Sequence, residues 1–407
     1  MSALQDLSPP MRQYLLVTGN YWAFTLTDGA LRMLVVLHFH DLGYSPLDIA
    51  LLFLFYEFFG VLTNLVGGWL GAHLGLNKTM NIGLGLQVLA LGMLLVPTAV
   101  LSVPWVMAAQ ALSGIAKDLN KMSAKSAVKL LVPASAQGSL YRWVTLLTGS
   151  KNTLKGIGFF LGGALLALLG FRGAVAAMAA ALALVWLASL LLLTQDLGKA
   201  ASKPRFTEIF SKSRAVNYLS AARLFLFGAR DVWFVVALPV YLASVFGWDH
   251  WQVGGFLALW IIGYGVVQAM APHITGKRAK TLPDGAMAGR WAAALSVIPA
   301  LIAVALDSPL ANAVGPQLIL LGGLLLFGAV FAINSSMHSY LIVSYASRDG
   351  VSLDVGFYYM ANAMGRLLGT ILSGWLYQAQ GLQSCLWVST GFLAIAAVLS
   401  RRLPRHS

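Results

Sequence analysis

Long apolar runs alternate with short polar punctuation along the chain, and the runs have the length of membrane crossings. A helix needs about 20 mainly apolar residues to span a bilayer. Such runs occupy 14–40, 46–71, 79–101, 104–132, 139–169, 173–194, 216–244, 250–274, 288–306, 312–346, 351–379 and 382–401, and predict twelve spans, numbered one to twelve in chain order. The longest polar stretch, QDLGKAASKPRFTEIFSKSRA, lies between the sixth and seventh. It predicts two six-helix halves, residues 1–194 and 216–407, joined by a cytoplasmic linker at 195–215. The expected fold class is therefore an all-α membrane protein.

Basic residues in the loops set the orientation, because Lys and Arg gather on the cytoplasmic side. With the N-terminus inside, the inner segments hold Arg12, Lys78, Lys199, Lys203, Arg205, Lys212, Arg214, Lys277, Arg278, Lys280, Arg348, Arg401, Arg402 and Arg405. The outer loops hold Arg172 alone. Both termini are expected in the cytoplasm.

The halves also echo each other. Sliding the chain by 211 residues lays KGIGFFLGGALLALLG (155–170) on RLLGTILSGWLYQAQG (366–381). Lys155 then falls on Arg366, Gly158 on Gly369, Gly163 on Gly374 and Gly170 on Gly381, so span five matches span eleven. A weaker echo pairs Gly114 and Asn120 of span four with Gly328 and Asn334 of span ten. Parallel repeats of this kind are a transporter architecture.

Composition narrows the class. The chain is 58% hydrophobic and 10% charged, whereas soluble domains carry about 25% charged residues. The N-terminal MSALQDLSPPMRQY has neither the apolar core nor the cleavage site of a signal peptide, so no processing is expected there. Cys385, the single cysteine, excludes an internal disulfide and any metal or As(III) site built from several thiolates. There is no phosphate-binding glycine loop, paired metal-ligand motif or nucleophile–base constellation. No enzyme activity, cofactor, metal or nucleic-acid partner is expected.

The net charge of +13 is not explained by the loops alone. Arg32 lies in span one, and Lys117, Lys121, Lys125 and Lys129 recur every fourth residue of span four, in GIAKDLNKMSAKSAVKLLV. Arg142, Lys151 and Lys155 lie in span five, Arg223 and Arg230 in span seven, Arg290 at the start of span nine and Arg366 in span eleven. Apart from Arg290, spans three, six, nine and twelve are free of interior charge. A charge at the bilayer centre costs about 2.5–3.5 kcal/mol or more, so charged spans face a bundle interior or water and the other four are free to face lipid.

Acids deep inside the spans are fewer: Asp28, Glu57, Asp118 and Asp231, which are candidate counter-ions or coupling groups. Asp28 sits four residues before Arg32, and Arg230 adjoins Asp231, so some charge is expected to be neutralised locally. A positive excess remains. Lysines four apart on one helix repel by about 2–3 kcal/mol at ~6 Å and an effective dielectric near 20. A bound anion is the natural relief.

Arg32, Lys117, Lys121, Lys151, Lys155, Arg230 and Arg366 are accordingly the expected substrate-binding residues. Lys125 and Lys129, near the cytoplasmic end of span four, either guide an anion inward or only snorkel to headgroups. Arg142 and Arg223 fit a structural role as well as a functional one. His338 reads as a satisfied polar residue or a proton carrier, and Glu57 as a partner for a basic residue or a proton site. Arg forks onto oxyanions and Lys supplies a movable point charge, so the set points to a multiply charged phosphate or carboxylate anion.

The stretches NYWAFTLTDGALRMLVVLHFH (20–40), FLFYEFFGVLTNLVGGWLGAHLGLNKTMNIGLGLQ (53–87), ALSGIAKDLNKMSAKSAVKLLVP (111–133), LTGSKNTLKGIGFFLGGALL (147–166) and SAARLFLFGARDVWFVVALPVYL (220–242) resemble the ArsJ-type organoarsenical efflux permeases of the major facilitator superfamily. The resemblance implies the twelve-helix fold of that superfamily, residence in the cytoplasmic (inner) membrane of a bacterium, and a monomer. It implies export of 1-arseno-3-phosphoglycerate by alternating access, with arsenate resistance as the outcome. The functional partner would be a glyceraldehyde-3-phosphate dehydrogenase that makes the ester from arsenate. One departure is plain: GGWLGAHLGLNK (67–78) has Ala72 where the superfamily's loop after span two usually carries an acid. Two alternatives share part of the pattern, an organophosphate/phosphate antiporter and, less well matched, a drug-type efflux pump.

Overall fold

Two glycines, 170 and 381, bend the two longest helical runs of the chain at repeat-equivalent positions. The computed structural model describes residues 9–43, 52, 54–132, 137–193, 197–200, 213–248, 250–276 and 282–404. The start of span two, the linker residues Lys203, Arg205 and Lys212, the loop residues Lys277, Arg278 and Lys280, and Arg405 lie outside them. The described elements are helical: α1 (Pro9–Asp41), α2 (Leu54–Leu74), α3 (Leu76–Met93), α4 (Val103–Leu131), α5 (Gln137–Leu192), α6 (Arg214–Phe234), α7 (Ala237–Ser244), α8 (His250–Gly276), α9 (Gly285–Asp307), α10 (Leu310–Val314), α11 (Pro316–Tyr345) and α12 (Val351–Ser400). Spans five and six share α5, and spans eleven and twelve share α12.

In α5 the break is Gly170, with φ 66° and ψ 176°; in α12 it is Gly381, with φ 78° and ψ −175°. Only glycine occupies that region without strain. No atom lies within 4 Å of a Cβ built on either glycine, so the backbone angle and not crowding demands glycine there.

Span seven differs from its expected single helix. It breaks at Val235 and Val236 into α6 and α7. Pro239 has no N–H to bond the Val235 carbonyl, and at the break the Ser373 hydroxyl accepts from the N–H groups of Val236 (3.3 Å) and Ala237 (3.0 Å). The two pieces together still have the length and apolarity of a crossing.

Six runs among the described residues are long and apolar enough to cross a membrane: Gly138–Leu192, Arg214–Ser244, Gln252–Thr275, Gly285–Asp307, Pro316–Tyr345 and Val351–Ser400. They hold the expected spans five to twelve. The four helices before them fall outside that set; α4 carries Lys117, Asp118, Lys121, Lys125 and Lys129 on a single helix.

The chain divides into two compact units. Unit 1 comprises Met1–Trp143, Ser150–Lys212 and Ala346–Met360; unit 2 comprises Val144–Gly149, Ser213–Tyr345 and Ala361–Ser407. In unit 1, α4 packs on α1, α2 and α3; in unit 2, α11 packs on α6, α8 and α9. Spans four and ten, which share the weaker sequence echo, are thus the hubs of their units. Asn120 and Asn334 are both fully buried on the hubs. Asn334 donates to the Ala288 carbonyl of α9 (3.0 Å), and Asn120 lies against Gly83 of α3.

The core of unit 2 is aromatic, with Trp233 edge-on to Trp260 and Phe327, and Phe327 stacked on Phe331. Large apolar side chains are exposed on the charge-free spans: Leu89 on α3, Leu184 and Leu191 beyond Gly170, Leu301 on α9 and Val398 beyond Gly381. Such faces suit a hydrocarbon solvent.

Candidate functional site

Close helix crossings place the charged residues. In unit 1, α1 and α5 touch backbone to backbone: a Cβ on Gly158 would lie 2.6 Å from the Leu26 carbonyl, and one on Gly29 would lie 2.7 Å from the Lys155 carbonyl. Small residues let helices approach this closely. Unit 2 repeats the contact between α6 and α12, where a Cβ on Gly369 would lie 2.7 Å from the Gly228 carbonyl. Residues three apart share a helix face. Lys155 and Arg366 therefore sit one turn before the crossing on one helix, and Arg32 and Asp231 one turn after it on the other.

Tyr56 is the pivot of the unit 1 site. Its hydroxyl donates to both oxygens of Asp28, at 2.7 and 3.0 Å. Lys117 Nζ stands 3.8 Å from the centre of its ring and the Arg32 guanidinium 4.9 Å. Arg32 reaches Glu57 at 3.3 Å, at the more exposed side of the cluster. Next to Lys117 on α4, Asp118 is 2% exposed and divides its carboxylate between two lysines. Oδ1 takes Lys121 at 2.5 Å and Oδ2 faces Lys117 at 3.9 Å. Lys121 also stands 4.5 Å from the centre of the Tyr359 ring.

Lys151 and Lys155 enter the same field from α5. Lys151 lies within electrostatic reach of Lys121, Lys155, Lys117 and Lys125. Lys125 is 2% exposed and belongs to the interior, whereas Lys129 is half-buried and faces the charge of Arg348. Among the described residues, six cations (Arg32, Lys117, Lys121, Lys125, Lys151 and Lys155) thus gather around three acids (Asp28, Glu57 and Asp118).

Unit 2 builds a smaller set on Asp231, which is fully buried. Oδ1 of Asp231 accepts from Arg230 Nε at 2.6 Å and faces its Nη2 at 2.5 Å; Oδ2 accepts from Arg366 Nε at 3.3 Å. The Arg230 guanidinium is walled by the rings of Phe227, Phe331 and Phe234, at 4.9, 5.6 and 5.8 Å.

Arg223 stands apart from that pair. It donates to Asn362 Oδ1 (2.8 Å) and to the carbonyl and hydroxyl oxygens of Ser335 (3.2 and 3.0 Å), and it lies over Phe227. Tyr264 and Gln268 donate to the same Ser335 hydroxyl. These bonds join α6, α8, α11 and α12, which is structural work. His338 is wholly buried one turn from Ser335, and neither ring nitrogen finds a hydrogen-bond partner among the described residues. Arg142 and Arg290 are exposed.

Sequence reasoning missed the aromatic partners. Tyr56 stands in FLFYEFFG beside Glu57, and Tyr359 stands five residues after Asp354 in span eleven. The available signal was a tyrosine adjacent to an intramembrane carboxylate.

A family model described as Major Facilitator Superfamily matches residues 17–351. No curated protein matches the sequence. Among solved structures, the human organic anion transporter MFSD10 (TETRAN) is similar, with TM-score 0.75 and 18% identity over 97% of this chain and 100% of that one. The E. coli fucose:proton symporter FucP, in a variant form, gives TM-score 0.74 and 12% identity, over 98% of this chain and 100% of that one. A bacterial homologue of the iron transporter ferroportin, in an outward-facing state, gives 0.72 and 15%, over 96% and 98%. At these identities the likeness is one of fold.

Proposed function

The chain belongs to the Major Facilitator Superfamily, and from that premise we propose that it exports an organoarsenical anion, 1-arseno-3-phosphoglycerate, across a bacterial cytoplasmic membrane. Its membership makes it a multi-pass membrane protein and a secondary transporter that works by alternating access. The observation that carries the substrate class is the gathering of Lys117, Lys121, Lys125, Lys151, Lys155 and Arg32 around only three acids in unit 1. Such a set favours an anion of several charges. An acyl arsenate joined to a phosphate monoester carries roughly three negative charges near neutrality, given a second phosphate pKa of about 6. Pentavalent arsenic in an ester asks for hydrogen-bond donors and cations, and one buried cysteine is consistent with that chemistry.

In this reading Lys117 and Lys121, with Lys151 and Lys155 opposite, bind the oxyanion oxygens. Lys125 and Lys129 lead toward them from the cytoplasmic end of α4. In unit 2, Arg230 and Arg366 offer planar guanidinium groups suited to two oxygens at once. The same cations would also hold an organophosphate, so counterflow against phosphate is the result that would favour an antiporter of that class.

The test is arsenate resistance in sensitive cells expressing the chain with and without a glyceraldehyde-3-phosphate dehydrogenase. Protection is expected only with the enzyme, and Lys117→Ala or Lys155→Ala should remove it at near-normal expression. Protection that is independent of the enzyme contradicts the arseno-ester reading.

A further inference from the structure

The two units repeat one device that the export reading does not require. In each, a buried carboxylate spends one oxygen on each of two cations. Asp118 is held by Lys121 and Lys117, and Asp231 by Arg230 and Arg366. The carboxylates are 2% and 0% exposed, while the cation side chains keep 14%, 11%, 15% and 31% of their surface. The cations therefore present an outer side to an arriving ligand, and the acids do not. A carboxylate and one edge of a phosphate or arsenate group offer the same thing to such a pair: two oxygens sharing negative charge.

We infer that Asp118 and Asp231 stand in for the substrate when the carrier is empty, so that the unloaded protein completes its return step and the chain performs net export and not obligatory exchange. This inference rests on the anion-export reading. A cation set left without counter-charge resists the passage of the empty carrier through its occluded form, because moving charge into a water-poor site is unfavourable unless it is paired. A carrier whose cations are neutralised only by substrate must carry an anion both ways. Here part of that counter-charge is built in, one carboxylate for a pair of cations in each unit. An arriving oxyanion draws the lysines or arginines toward itself, and on its release they fall back on the aspartate. The cost of binding is the partial loss of an internal pair, which weakens affinity; the gain is a cycle that closes without a return cargo.

The experiment compares two fluxes in vesicles bearing the purified protein. Glyceraldehyde-3-phosphate dehydrogenase, its dinucleotide, glyceraldehyde 3-phosphate and arsenate are enclosed, so that 1-arseno-3-phosphoglycerate forms inside. Arsenic release is measured with no anionic ester outside (net efflux) and with 3-phosphoglycerate outside (exchange). The wild type should release arsenic in both. Asp118→Asn and Asp231→Asn should lower the ratio of net efflux to exchange by about 100-fold, as expected for ~2.7 kcal/mol on one step of the cycle. Asp118→Glu, which keeps a carboxylate, should restore the ratio.

A wild type that needs 3-phosphoglycerate outside overturns the inference and leaves anion export standing. Release in neither mode sinks the export reading itself. Asparagine variants with the wild-type ratio overturn the inference, and so do monodisperse variants that lose both fluxes equally.

Discussion

Tyr56 joins an acid and two cations of the site. One phenol donates to Asp28 and sets its ring beneath Lys117 and Arg32. Tyr56→Phe keeps the ring and strips a hydrogen bond from a buried carboxylate, a loss of about 1.5–3 kcal/mol. Tyr56→Leu loses the ring as well, adding about 0.5–2 kcal/mol for two cations deprived of an aromatic face. Thermal unfolding in detergent should therefore rank wild type above Phe and Phe above Leu; equal midpoints for the two variants would show that the ring contributes nothing. The lysines were legible in the sequence because a charge inside an apolar run has few explanations. Tyr56 was not, because aromatic residues are ordinary in membrane helices and the sequence does not say which helix lies opposite. Arg223 illustrates the converse. Its charge drew attention, but its bonds to Asn362 and Ser335 became visible only once α6, α11 and α12 were packed.

At the scale of elements, the 211-residue echo marks where the helices turn. Gly170 and Gly381 were aligned by sequence, and both adopt a backbone that only glycine tolerates. Gly170→Ala and Gly381→Ala should each cost of order 1–3 kcal/mol, read as a lower thermal midpoint. Gly374→Ala serves as the control, since its Cβ would meet nothing within 4 Å and its backbone is ordinary helix. A control as damaging as the two kink variants would contradict the backbone explanation. The same echo brought Gly158 and Gly369 into register, and both turn out to be crossing points. The break in span seven was only half legible. Pro239 is plain in the sequence, but membrane helices tolerate proline when neighbours satisfy the freed groups. What accepts the N–H groups of Val236 and Ala237 at the break is Ser373, on a helix more than a hundred residues later.

For the whole molecule, the charge-free spans three, six, nine and twelve carry exposed apolar side chains, while Asp28, Asp118, Lys121, Lys125, Arg223 and Asp231 of the charged spans are buried. If the six cations and three acids of unit 1 carry an anion outward, as proposed, the membrane potential acting on that anion is a driving force that needs no protons. Each charge crossing the membrane is worth about 2.3 kcal/mol per 100 mV, so a trianion leaving a negative interior gains about 7 kcal/mol per 100 mV before concentration terms. The measurement that tests this most directly is arsenic efflux from vesicles that make the arseno-ester inside, under an imposed negative-inside potential and no pH gradient. Efflux that rises with the potential and disappears when glyceraldehyde 3-phosphate is left out is the expected result. Efflux that requires a pH gradient, or that carries arsenate without the ester, would contradict it.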